Sequence, residues 1–279
     1  MTLNITISRP EGVIQSSDHR VIWNGHLKDT ISKHVLLWTY DGFILVTFCG
    51  VAALRSGWRI IRIEDWLAGV LTKPPKSSHE ESEKFSLKVL SVKESTRIIE
   101  SEATKQLGNV LFGMRNSGLW FSVGGQSFEK RFIGFITNMN PKSKATDRPN
   151  AYFKTYVDWL PEDVSAALYV PRDAVTTDDS KRLNQIIKAK KVLFKDLDRL
   201  LSSVHRNAAA YGSNRQLVSA SCTTTYTDDS SPTLGFRGVH HGLAERVQGA
   251  FSIEPKVITW GVPSSGLWAD IWCDGRKEA

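Results

Sequence analysis

Strand-like and helix-like segments of this 279-residue chain fall in blocks, and that ordering narrows the possible folds more than any other feature. Apolar residues alternate in "LNITISR" and "VIQSSDHRV" around a break at "RPEG", and "KHVLLW" and "GFILVTFCG" follow around "TYDG". A helical spacing then covers Trp58, Ile61, Asp65, Trp66, Ala68, Gly69, Val70 and Leu71, and a second one covers 85–107. Strands return with "GLWFSVGG", "RFIGFITNM", "YFKTYVDWL" and "AALYV". Ser180 reads as the cap of a long helix whose apolar stripe runs from Leu183 to Val204. "QLVSASCTTTY", "AFSIE" and "KVITWG" read as the last strands. Strict alternation of single strands and helices would give a doubly wound parallel sheet, whereas blocks of each give an α+β fold. Mainly antiparallel sheets with helices on their outer faces are expected. No solenoid period and no long linker interrupt the pattern, so residues 1–279 are expected to form one domain. Polar surface loops fall at 73–84 and 141–149, and a C-terminal extension at 263–279.

Composition removes several function classes. No apolar run approaches the roughly 20 residues of a membrane-spanning helix, and the N-terminus lacks the charged-then-apolar layout of a signal peptide. Cys49, Cys222 and Cys273 are widely spaced, which suggests neither a disulfide framework nor a zinc site and fits a reducing cytoplasm. The net charge of +7 raises the question of a nucleic-acid partner. The densest basic run, "KRLNQIIKAKKVLFKDLDR", also carries Asp196 and Asp198 and reads as a solvated helix face, with no nucleic-acid motif beside it. The nine tryptophans read mostly as core and interface residues.

Chemistry concentrates at the N-terminus. A threonine hydroxyl is a weak nucleophile until a base takes its proton, and an N-terminal threonine carries such a base in its own amine, whose ordinary pKa is about 7.7–8.0. Thr2 meets that condition if Met1 is removed, and its small side chain permits the removal. Asp18 and Arg20 follow in "SDHR", a Lys and a His stand before the strand in "SKHVLLW", and Gly50 ends "FCG".

This order, from Thr2 through "GVIQSSDHR" and the lysine to "FCGVA", resembles that of a proteasome β-subunit. More broadly it is similar to the N-terminal nucleophile (Ntn) hydrolase superfamily. The resemblance is specific over residues 2–70 and rests on element order beyond them. It implies a four-layer αββα sandwich: two mainly antiparallel sheets with helices on the outer faces. It also implies that Thr2 supplies nucleophile and base, Lys33 lowers the pKa of neighbouring groups, Asp18 holds that lysine, and the Gly50 amide serves an oxyanion. Arg20 matches the family's arginine. Either Lys33 or His34 could fill the lysine's place; Lys33 is preferred because a histidine is mostly uncharged at neutral pH. In "HRNAAAYGSNRQLVSASC", Asn207 stands where the family has a supporting Asp, and alanines stand for its Ser.

Two readings follow from the resemblance. One is a hydrolase that cleaves a peptide or smaller amide through an acyl-enzyme on Thr2. The other is a catalytically degenerate subunit that acts in assembly or binding. Both imply self-association and neither requires a cofactor or metal; with only Met1 ahead of Thr2, self-processing is not expected. Nothing in the sequence speaks for or against a regulatory ATPase. Elsewhere, His240 and His241 in "GVHHG" read as a surface turn, "SVGGQS" as a hairpin turn, Cys222 as a buried thiol, and Asp228 and Asp229 as turn residues.

Overall fold

The opening alternation becomes an antiparallel hairpin of β1 (Asn4–Arg9) and β2 (Gly12–Asp18), with Asn4 opposite Ser17 and Arg9 opposite Gly12. In the computed structural model of the chain, the described residues are 2–23, 26–29, 31–56, 58–72, 90–114, 118–128, 130–141, 148–170, 172–211, 218–228, 236–241, 256–259, 262–264 and 268–274. Both faces of the hairpin are buried. Leu3, Ile5, Ile7 and Ile14 enter one apolar cluster, while Thr6, Gln15 and Val13 meet the opposite sheet.

A short hairpin of β3 (Arg20–Trp23) and β4 (His26–Asp29) follows. Next, β5 (His34–Thr39) and β6 (Gly42–Gly50) pair around Tyr40–Asp41 as "TYDG" predicts. The helix expected from Trp58 onward starts later. Residues 53–62 form a hairpin of β7 (Ala53–Ser56) and β8 (Arg59–Arg62), and α1 runs over Ile63–Thr72. The Ile63 amide donates to the Ala52 carbonyl and closes the hairpin at its base. Trp58 is 97 % exposed, so its apolar signal belongs to a turn and not to a helix face.

The second helical block begins at Ser91. Its hydroxyl accepts from the Glu94 amide while the Glu94 carboxylate accepts from the Ser91 amide, which starts α2 (Val92–Ala103). A π-helical turn (Thr104–Gly108) leads into α3 (Asn109–Phe112). Leu87 and Val89, assigned to this helix from sequence, lie outside the described residues, as do 73–84, most of the 141–149 loop, and "AFSIE".

Four strands follow: β9 (Leu119–Ser127), β10 (Arg131–Thr137), β11 (Lys154–Leu160) and β12 (Ala166–Val170). Gly124 and Gly125 lie within β9 and make no turn. A Cβ on Gly124 would sit 2.6 Å from Thr6 Cγ2 and one on Gly125 2.2 Å from the Phe43 carbonyl oxygen, so the pair allows a close approach of neighbouring backbone and of the facing sheet.

The long helix expected after Ser180 is two helices, α4 (Thr177–Lys188) and α5 (Phe194–Ala210). Thr176 caps α4 by accepting from the Asp179 amide; Ser180 lies within the helix, bonded to the Tyr169 hydroxyl. Buried Arg9 ends α4 from a distance, donating to the carbonyls of Ile186, Ile187 and Ala189. Then come β13 (Cys222–Asp228), β14 (Phe236–His241), β15 (Lys256–Thr259), β16 (Val262–Ser264) and β17 (Trp268–Asp274).

Two large sheets result, in an α+β chain. One has the order β12-β1-β2-β13-β14-β17 and the other β11-β10-β9-β6-β5-β15-β16. All pairs are antiparallel except β14–β17 and β5–β15. The region expected as a C-terminal extension thus supplies β16 to one sheet and β17 to the other. One apolar cluster joins the seven-stranded sheet to α1–α3, a second joins the six-stranded sheet to α4 and α5, and a smaller third lies between the sheets. No helix among the described residues is long and apolar enough to cross a membrane.

Candidate functional site

The β1–β2 ladder fixes the first element of the site. Continued one step past Asn4 and Ser17, it brings Leu3 to Asp18: the Asp18 amide donates to the Leu3 carbonyl at 3.3 Å, and the Leu3 amide donates to Asp18 Oδ2 at 2.6 Å. Thr2 is therefore held by its neighbour rather than left to fray. The chain then turns at His19, so that the Arg20 amide donates to Asp18 Oδ1 at 2.8 Å.

Lys33 completes the arrangement. Its Nζ donates to Thr2 Oγ1 at 2.5 Å, to Asp18 Oδ1 at 3.0 Å and to the Arg20 carbonyl at 2.6 Å. Thr2, Asp18 and Lys33 are all buried, with Lys33 1 % and Asp18 0 % exposed. Two charges this deep persist only when both are hydrogen-bonded as well as paired. That condition is met: the carboxylate accepts two amides and the ammonium, and the ammonium reaches three oxygens. Burial pushes the Asp18 carboxyl above its ordinary pKa, while Lys33 and the amides of Leu3 and Arg20 pull it back.

Neighbouring strand residues face different ways, so only one of Lys33 and His34 is expected to point at Thr2, and Lys33 is the one that does. Lys33 stands just before the paired part of β5. His34 lies within the strand, and its Nδ1 is 3.0 Å from Thr225 Oγ1 on β13. Burial pushes the His34 imidazole down to about 3, which leaves it neutral and engaged away from Thr2. Lys33 is the residue that reaches the threonine hydroxyl.

Gly50 ends β6 beside Leu119, with φ +104°, a left-handed conformation that favours glycine. A Cβ there would stand 1.9 Å from the Gly118 carbonyl oxygen. Burial pushes the thiol of its neighbour Cys49 up to about 12, against the pull of Lys33 and with a push from Asp18.

Two supporting residues behave differently. Arg20 acts through its backbone on Asp18 and Lys33, and its guanidinium donates to the Val218 carbonyl at 3.2 Å. Asn207 lies in α5 and donates to both oxygens of Asp179 in α4, at 3.0 and 3.1 Å, tying the two helices together. Nothing in "NAAA" distinguishes a loop from the end of a helix.

The residue after Asp18 is held by hydroxyls from the start of β13 and the segment before it. His19 stands between Asp18 and Arg20, with Nδ1 3.2 Å from Ser221 Oγ and Nε2 2.6 Å from Thr223 Oγ1. Ser221 continues to Ser219 and Thr223 to His240 Nδ1, at 2.8 and 2.6 Å. Burial pushes His19 well below its ordinary value and His240 down to about 4. The hydroxyl-rich "SASCTTTYT" was the available signal. His240 and His241 are buried in β14 and not in a surface turn; His241 Nε2 is 2.7 Å from Asp198 Oδ1. Cys222 is buried, as read, and burial pushes its thiol up; Asp228 ends β13, and Asp229 lies outside the described residues. Among the described residues no group of three or more His, Cys, Asp or Glu is placed to hold a metal ion.

No family model and no curated protein matches the sequence. Solved structures do match in shape. Anbu (ancestral beta-subunit) from Yersinia bercovieri superposes with a TM-score of 0.51 at 11% identity, covering 81% of each chain. Anbu from Hyphomicrobium sp. strain MC1 gives 0.49 at 9% identity, over 83% of this chain and 84% of that one. The helical assembly of the Anbu complex from Pseudomonas aeruginosa gives 0.48 at 11% identity, over 82% of each chain. The first of these shows a shared fold.

Proposed function

We propose that the chain is an N-terminal-threonine hydrolase with the four-layer αββα arrangement of the Ntn hydrolases, acting on a peptide or smaller amide. The observation that carries this reading is the 2.5 Å contact from Lys33 Nζ to Thr2 Oγ1, with Asp18 holding the ammonium. With Met1 removed, the Thr2 amine takes the Oγ proton as Oγ attacks the amide carbon. The amine then returns that proton to the leaving nitrogen as the C–N bond breaks, leaving an ester on Thr2. Water, deprotonated by the same amine, cleaves the ester, and the proton returns to Oγ. The Lys33 ammonium stabilises negative charge at Oγ, and the Gly50 amide is assigned to the carbonyl oxygen.

The competing reading is a non-catalytic subunit of the same fold. It draws support from the burial of Thr2, which is 4 % exposed. One experiment separates the two. The untagged protein is analysed by intact mass for loss of Met1, then treated with a covalent probe that requires a free N-terminal threonine. The hydrolase reading expects a Thr2 adduct, its loss in Thr2→Ala, and labelling about 10²–10³-fold slower in folded Lys33→Met. Asn207→Ala is expected to label at the unaltered rate. Folded protein that lacks Met1 and still refuses the probe would leave the binding or assembly role.

A further inference from the structure

The space between the two sheets is unusually polar near Thr2. His34 of β5 stands opposite Thr47 of β6, and Thr47 opposite Ser122 of β9, so the three side chains form one row across the seven-stranded sheet. Facing positions in such a ladder lie about 4.5–5.5 Å apart. From the other sheet, Gln15 enters the same row: its Nε2 donates to the Ser122 carbonyl at 3.0 Å and to Thr6 Oγ1 at 2.9 Å. All four residues are buried.

Each carries one atom without a hydrogen-bond partner among the described residues: His34 Nε2, Thr47 Oγ1, Ser122 Oγ and Gln15 Oε1. A buried polar atom left unpaired is destabilising, and four of them in one row would take a large share of an ordinary domain's stability. Native interiors rarely tolerate this, and buried water is the usual solution where several such atoms converge.

We propose that this row is a binding site for internal water, holding about one or two molecules, each bridging neighbouring atoms of the row. The donor and acceptor set suits water. The hydroxyls of Thr47 and Ser122 both give and accept, Gln15 Oε1 only accepts, and His34 Nε2 takes the role its tautomer leaves. None of the four side chains carries charge, with His34 held neutral by burial. The site links the sheets through hydrogen bonds where Leu36, Phe43 and Leu45 link them by apolar contact further along. It ends at the residue after Lys33, and the inference stands whether or not Thr2 is catalytic.

The test is the sign of a stability change. Thr47→Val keeps the shape and removes the hydroxyl, as Ser122→Ala nearly does. In a hydrated row each variant lowers Tm, by about 2–4 °C for each kcal/mol lost, and the double variant loses less than the sum because both act on the same water. In a dry row each variant removes an unsatisfied hydroxyl, and Tm rises or holds. A crystal structure at a resolution that shows ordered water supplies the second readout: density within hydrogen-bonding distance of these atoms is expected. Unchanged or raised Tm in both single variants overturns the proposal, and so does a row without such density.

Discussion

Acid should unfold this protein early, because several histidines are buried as neutral rings. Burial pushes His34 and His205 from 6.5 down to about 3 and His240 down to about 4. Between those values and 6.5 the unfolded chain binds protons that the folded chain refuses, so stability is complete above pH 6.5 and falls as pH falls. At pH 5 each ring has lost the equivalent of 1.5 pH units, or about 2 kcal/mol, and the three together about 6 kcal/mol. His19, also held well below its ordinary value, adds in the same direction. Typical domains have about 5–15 kcal/mol in total, so folding should fail near pH 5 or a little below. Urea midpoints followed by tryptophan fluorescence at pH 8, 7, 6 and 5 measure this directly, with stability near constant from 8 to 7 and falling steeply below 6. His205→Gln should shallow that fall by about one proton's worth. A midpoint that stays level from pH 8 to 5, or rises, would refute the reasoning, since it would mean these rings are protonated or solvated in the folded state.

Two smaller tests address the scaffold. Gly125→Ala places a methyl group 2.2 Å from the Phe43 carbonyl oxygen, which is backbone and cannot swing aside, so a loss of about 1–3 kcal/mol is expected in urea unfolding. Ser91→Ala removes half of the capping box that starts α2 and should cost about 1 kcal/mol, read as a Tm lower by about 2–4 °C.

Much of the architecture was legible in local pattern. Alternation in "LNITISR", "VIQSSD", "HVLLW" and "GFILVTFCG" marks strands that pair as hairpins, because a short turn leaves little other choice. What the pattern could not reveal depends on distant partners. The end of α4 is set by Arg9, 180 residues before Ala189, so an apolar stripe running across 189–193 reads as one helix. Gly124 and Gly125 look like a turn until the facing sheet is in place. Trp58 and Ile61 carry the same residue types in a hairpin as in a helix. The candidate site divides in the same way. Thr2, Asp18 and Lys33 were named through the resemblance of the opening residues to a proteasome β-subunit, and the structure brings them together. Charge alone favoured Lys33 over His34, and the start of β5 pairing shows why both side chains can be buried on different partners. The bonds from His19 to Ser221 and Thr223 join residues about 200 positions apart, beyond the reach of any local rule.

The pairing order of the six-stranded sheet sets a timetable during synthesis. The β1–β2 hairpin gains its first outer neighbour, β12, only when residues 166–170 have been made, and its other neighbour, β13, only after residue 222. At ribosomal rates the first of these intervals lasts about 10–30 s. Throughout it the hairpin beside Thr2 lacks the two strands that later flank it in its own sheet. Faster translation of the first 170 codons would shorten that interval.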